Sequence, residues 1–117
     1  MSAARYLSLL MSSRNQAHTF HLLTTSFATH KALQDYYENI VPLLDGWAEA
    51  YMGKYGRFPK MKMSGRVITD PKKASGYFKS LLSTLRKLKL PKDSYLQSIQ
   101  DEITVLLRST MYKLTLR

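Results

Sequence analysis

The sequence has no cysteine, and only five glycines and four prolines occur among its 117 residues. Disulfides and thiolate metal sites are therefore excluded. No apolar run approaches the roughly 20 residues that a membrane-spanning helix needs, and the amino terminus does not show the pattern of a cleaved signal peptide. We expect a cytoplasmic protein with no membrane partner.

Apolar residues recur at helical spacing, and no segment calls for a strand. A first helix is expected over residues 3–24 and a second over residues 27–52, with Gly53 ending it and Pro42 bending it. The expected apolar face of the second helix comprises His30, Leu33, Tyr37, Ile40, Val41, Leu44, Ala48 and Tyr51.

The second half of the chain predicts a long connection and two further helices. Residues 54–69 are basic, carry glycine and proline and lack a sustained period, so they indicate a crossover loop. Asp70 and Pro71 predict the start of a third helix that stops at Leu90, and Ser94 begins a segment resembling a capping box. We therefore predict one domain over residues 1–117, an all-α four-helix bundle of ferritin-like type with a long crossover between helices two and three.

Positive charge is concentrated in one segment. The net charge is +10, and residues 54–92 hold twelve Lys/Arg against one Asp, whereas residues 1–53 hold three against four and residues 93–117 three against three. Such a segment is typical of a polyanion-binding surface, although lysines that only maintain solubility are an equally simple interpretation. Binding would be non-specific and salt-sensitive. The candidate nucleic-acid-binding residues are Lys60, Lys62, Arg66, Lys72, Lys73, Lys79, Arg86, Lys87 and Lys89.

All three histidines fall within residues 17–53. His18 and His21 are three residues apart on one predicted helix, His30 begins the next, and Asp45 and Glu49 share a face further along it. Imidazoles with carboxylates suit iron, manganese or zinc. Because His30 and Asp45 would lie roughly 22 Å apart, one ion can contact both only if a second chain contributes. Otherwise the histidines are core residues and the acids a solvated flank.

The pattern H-x-F-H, then Phe before a histidine, then D-x-x-x-E-x-x-x-G resembles the Dps-like miniferritins of the ferritin superfamily. The resemblance implies an iron site, di-iron or mononuclear, between subunits, and a ferroxidase activity. Its metal ligands would be His30, Asp45, Glu49 and either His18 or His21. It also implies a homo-oligomer that is at least a twofold dimer, with a dodecameric shell as one candidate assembly.

The chain resembles small phage-encoded ferritin-like proteins of unassigned function more closely, through residues 16–27 and the later IQDEI and YKL segments. Gln34 stands where the miniferritins usually carry an acidic ligand, and Leu22 where they carry tryptophan. Two functions follow from these resemblances. One is iron oxidation with storage or detoxification and non-specific DNA binding. The other is a metal-free structural or nucleic-acid-associated role of the phage type, in a bacterial host cytoplasm.

Overall fold

The structure, a computed structural model, describes residues 2–63 and 65–117, and these form helices and connections without a strand. Met1 and Ser64, which belong to the predicted domain and the predicted connection, lie outside the described residues. The predicted all-α four-helix bundle is confirmed. Its elements are α1 (Ser2–Leu23), α2 (Phe27–Tyr55), a single 3-10 turn (Pro71–Lys73), α3 (Ala74–Arg86) and α4 (Ser94–Lys113).

Each helix packs against two neighbours. α1 contacts α2 and α3, and α4 contacts α2 and α3, so α1 lies diagonal to α4 and α2 to α3. Lys54 at the end of α2 pairs with Asp93 at the start of α4, at 3.3 Å. Phe20 near the end of α1 meets Tyr77 near the start of α3. Neighbours across the bundle are therefore antiparallel, and α2 and α3 run in the same direction, which requires the long crossover that was predicted.

The core differs from the expected apolar face of α2. Tyr36 and Trp47 are fully buried, whereas Val41 is 36% exposed. α2 is covered by α1 on one side and α4 on another, so its buried stripe is wider and rotated relative to the predicted one. The buried polar atoms are satisfied: the Tyr36 hydroxyl lies 2.6 Å from Ser13 Oγ, and Trp47 Nε1 donates to Gln100 Oε1 at 3.0 Å. Tyr36 and Trp47 therefore serve to pack the core.

The crossover is held along α1 by one side chain. Gln16 Nε2 donates to the Ile68 carbonyl at 2.7 Å, and the Ile68 amide donates to Gln16 Oε1 at 2.8 Å. At its beginning, Phe58 stacks on Tyr51 with ring centroids 4.8 Å apart. A buried glutamine thus supplies the hydrogen bonds that an adjacent strand would supply in a sheet.

The second helix passes its predicted end. Gly53 lies inside α2, and the cap is Gly56, whose φ of 88° favours glycine and whose amide bonds to the Met52 carbonyl at 2.9 Å. α2 also continues through Pro42. Gly53 was therefore the wrong terminator, because Gly56 and not Gly53 has the positive φ at which the helix ends.

The later helix boundaries confirm one prediction and correct two. Asp70 caps the turn that leads into α3, accepting from the Lys72 amide at 3.0 Å. α3 ends at Arg86 instead of Leu90, in a tightened last turn. Ser94 is the first residue of α4 instead of its cap, and the capping position belongs to Asp93. No helix of the described residues is long and apolar enough to cross a membrane.

Candidate nucleic-acid interface

One side of α3 is basic. Lys79, Arg86 and Lys87 are seven and eight residues apart, which places them on one side of the helix, and all three are exposed. The opposite side carries Phe78 and Leu81, which are buried in the core. This basic stripe faces solvent because α3 is amphipathic and its apolar face packs in the core of the bundle.

A residue from α4 completes this stripe. Arg108 lines, together with Lys79, Arg86, Lys87 and the side chain of Met111, a hollow of about 360 Å³ between the two helices. We refer to these five residues as the α3–α4 groove. Four cations therefore surround a partly apolar floor, an arrangement suited to the phosphates of a polyanion.

The crossover builds a second basic hollow against α1. Lys60 and Lys62 lie against the beginning of α1, where Arg5 joins them in lining a hollow of about 390 Å³. Arg5 and Arg108 were missed by the sequence analysis because each belongs to a segment whose charges nearly cancel. The signal for Arg5 lies only in the path of the crossover, which local sequence does not determine.

Acidic side chains neutralise little of this charge. Every Lys and Arg of residues 54–92 is exposed, and Lys54 is paired with Asp93. Leaving Arg66 aside, no other cation of this segment lies within 4 Å of a carboxylate in the part of the chain that the structure describes. The positive potential of the segment therefore faces solvent.

A larger cleft adjoins the α3–α4 groove. It measures about 680 Å³ and lies between the end of α3, the connection that follows and α4. It shares Arg86 with the groove, and Leu82 lines both hollows. Tyr6 forms part of its lining, and burial together with the nearby Asp101 raises the pKa of the tyrosine above its ordinary value. Its hydroxyl therefore keeps its proton at neutral pH.

The histidines form a separate structure at the α1–α2 turn. His21 Nδ1 lies 2.7 Å from the His30 carbonyl, and His30 Nδ1 lies 2.8 Å from the His21 carbonyl. The rings are stacked, with centroids 3.6 Å apart and planes 19° from parallel. Because a carbonyl only accepts, each Nδ1 must carry a proton, which leaves Nε2 as the free ring nitrogen. Of the two candidate ligands on α1, His21 is therefore the one that lies against His30.

This stack limits how the histidines could hold a metal. Lone pairs lie in the ring planes, and these two planes meet only roughly 10 Å from the rings, far beyond a nitrogen–metal bond of about 2.1 Å. His21 and His30 therefore cannot ligate one ion together in this arrangement. His18 is stacked on Tyr37 with centroids 4.5 Å apart. Over residues 2–63 and 65–117, no three His, Asp or Glu side chains are grouped to hold a metal.

The two carboxylates lie away from the histidines. Asp45 and Glu49 are exposed on α2, and Asp45 lines a small hollow with Arg14 and Met63. Neither carboxylate has an ion-pair partner among the described residues. The metal-ligand roles of His18, His21, His30, Asp45 and Glu49 require a second chain, and they remain predictions.

The fold and this surface define a small basic four-helix-bundle protein. The chain belongs to the Family of unknown function (DUF5856), whose sequence profile matches residues 21–114. It is similar to the "Uncharacterized 14.6 kDa protein in mobD-ri intergenic region" of Enterobacteria phage T4, with 30% identity over 116 residues that cover 97% of this chain and 88% of that protein. No solved structure matches the chain. The predicted phage likeness is thus supported, whereas neither match is described as a ferritin or Dps protein.

Proposed function

We propose that the protein binds nucleic acid without sequence specificity, through phosphate contacts of the α3–α4 groove and of the basic crossover. The observation that carries this proposal is the set of exposed, unneutralised cations in the groove: Lys79, Arg86, Lys87 and Arg108. Counterion release from a polyanion is the main source of affinity that such a surface offers.

The spacing of these cations fits a nucleic-acid backbone. Lys79 and Lys87 are eight residues apart, so their Cα atoms are separated by about 12 Å along α3. Successive phosphates of one strand advance by about 3.4 Å along a duplex axis. The groove therefore spans the length of three to four nucleotides. The cations at Lys60, Lys62, Lys72 and Lys73 would extend the contact beyond α3.

Salt titration tests this function. The double variant Arg86→Ala, Lys87→Ala should make the negative slope of log affinity against log salt less steep, by about 1.8 on duplex DNA and by about 1.4 on single strands. Lys31→Ala combined with Arg117→Ala removes the same charge at exposed positions outside the groove and is the matched control. Fluorescence anisotropy with a labelled oligonucleotide gives both slopes.

Two results would contradict the proposal. The first is equal loss of slope in the groove pair and the control pair, because net charge alone would then account for binding. The second is no measurable affinity of the native protein even at low salt, where counterion release favours binding most. Circular dichroism of all variants should show an unchanged helical spectrum.

We also propose a test of the second function, iron oxidation at sites shared between subunits. What favours it is that Asp45 and Glu49 are exposed and lack ion-pair partners among the described residues, so their oxygens are available to a metal ion. A second copy would have to bring these oxygens to a histidine Nε2. At such a site dioxygen or peroxide from solution would be the oxidant that takes the electrons from bound ferrous iron.

Native mass and ferrous-iron oxidation are measured together. If the function is correct, the protein is at least a dimer, and Glu49→Ala lowers oxidation while Glu38→Ala, another exposed glutamate of α2, leaves it unchanged. A strict monomer at high concentration would contradict the shared site. Equal oxidation in both variants would show that Glu49 is not a ligand.

A further inference from the structure

The cleft beside the α3–α4 groove has walls of different chemistry. On the α4 side, Gln97, Gln100, Asp101 and Thr104 line it at spacings of three, four and seven residues, and therefore form one polar helix face. The floor on the other side is apolar and includes leucines of α3 and of the connection that follows. A ligand with a flat apolar face and a polar edge would satisfy both walls.

Hydrogen-bonding capacity on the polar wall is still free. Gln100 Oε1 accepts from Trp47, which fixes the amide and leaves its N–H groups as donors for a ligand. Thr104 Oγ1 donates to the Gln100 carbonyl at 3.1 Å and retains lone pairs as acceptors. Asp101 is exposed and has no ion-pair partner among the described residues, so its oxygens can accept.

The charges at the cleft indicate an anionic ligand. Lys89 and Lys92 line it, and Arg86 belongs to both the cleft and the groove. A simple aliphatic anion fits poorly, because it would leave the polar wall unsatisfied and would bring its charge towards Asp101. A nucleotide fits better: its phosphates would contact the cations, its base would pack on the leucines, and the base edge would face the polar wall.

We propose that the cleft binds an unstacked base of single-stranded nucleic acid and that Asp101 makes it prefer bases with an exocyclic amino group. This inference rests on the proposed nucleic-acid function. The base must come from a single strand because in a duplex its edge is paired and its faces are stacked. A carboxylate only accepts hydrogen bonds, so it matches the amino group of cytosine and not the carbonyl oxygen of thymine at the same ring position.

The preference is measured with oligo(dC) and oligo(dT) of equal length, at slightly alkaline pH and low salt, by fluorescence anisotropy. The native protein should bind oligo(dC) about fivefold more tightly, which is the lower end of what one base contact contributes. Asp101→Ala should remove the preference while strengthening binding to both oligonucleotides, because a negative charge is lost. Glu102→Ala removes the same charge at an exposed neighbour that does not line the cleft, and should retain the preference.

Each outcome decides one question. If the native protein binds both oligonucleotides equally, or if Asp101→Ala keeps the native ratio, the base site is wrong while non-specific phosphate binding stands. Loss of the ratio in Glu102→Ala as well would also contradict the site, since the effect would then be one of charge. If neither oligonucleotide binds, the base site fails, and the proposed function fails with it when duplex DNA also shows no affinity at low salt.

Discussion

Gln16 provides the sharpest test of how the crossover is held. Gln16→Ala removes both hydrogen bonds to the Ile68 backbone, each with a net contribution of about 0.5–1.5 kcal/mol. The Ile68 residue is 37% exposed, so water can replace part of the loss. We therefore expect the free energy of unfolding to fall by about 1–2 kcal/mol. For a chain of this size, that corresponds to a fall of about 4–8 °C in melting temperature.

Urea unfolding measures the stability, and limited trypsin digestion measures the crossover. Lys62 and Arg66 lie close to the clamped Ile68, so cleavage after them should accelerate in Gln16→Ala. Gln34→Ala is the matched control, because that side chain makes an exposed hydrogen bond to Glu38 and should change stability by less than about 0.5 kcal/mol.

Gln16→Glu adds a pH dependence of known sign. The ionised carboxylate would still accept from the Ile68 amide but would repel the Ile68 carbonyl, so burial and repulsion raise its pKa in the folded state. An acid whose pKa is higher in the folded state than in the unfolded state favours folding at a pH below its unfolded-state pKa. This stabilisation is lost as the pH rises through its folded-state pKa. The variant should therefore approach native stability in acid and be weakest at neutral pH. If Gln16→Ala has the same stability and the same trypsin cleavage rates as the native protein, the Gln16–Ile68 hydrogen bonds do not hold the crossover.

Three further changes test other contacts. His21→Ala should lower the free energy of unfolding by about 2 kcal/mol in urea, because one ring of the stack and its hydrogen bond are lost. Trp47→Phe should lower it by about 1–2 kcal/mol, because the Gln100 oxygen loses its donor; no change would show that water replaces the indole. The Tyr55 hydroxyl holds the pKa of Asp93 below its usual range, so the ionised Asp93 carboxylate stabilises the folded state at neutral pH. This contribution is lost as the pH falls through the folded-state pKa of Asp93. Thermal melts should therefore show a weaker acid dependence in Asp93→Asn, and an unchanged acid limb would contradict the contact.

Local signals were sufficient for the α1–α2 hairpin and for the approach to α3. The α1–α2 hairpin follows from helical periodicity and a short polar turn, and this turn brings His21 opposite His30. Asp70 with Pro71 likewise marked the approach to α3, because capping is a property of adjacent residues. These features need no information from distant parts of the chain.

Features that depend on tertiary contacts were not predictable in the same way. Tyr36 and Trp47 are buried because α2 lies between two helices, which the periodicity of α2 alone does not reveal. α3 ends four residues before Leu90 although leucines continue at helical spacing beyond Arg86. Arg108 joins the basic stripe only through the packing of α4 on α3. The predicted iron ligands could meet only between two chains, so the structure of one chain does not test them.

The unequal lengths of two neighbouring helices explain the origin of the cleft. α3 has 13 residues and α4 has 20, so α3 is shorter by about 10 Å. The connection over residues 87–93 covers this part of α4 in place of a helix and leaves the gap that forms the cleft. The size of the cleft is therefore set by where α3 stops. A relative whose third helix ran two turns further would keep the basic stripe, and its own backbone would fill the gap. The number of residues between the last leucine of the third helix and Pro91 would therefore distinguish relatives that have this cleft from relatives that lack it.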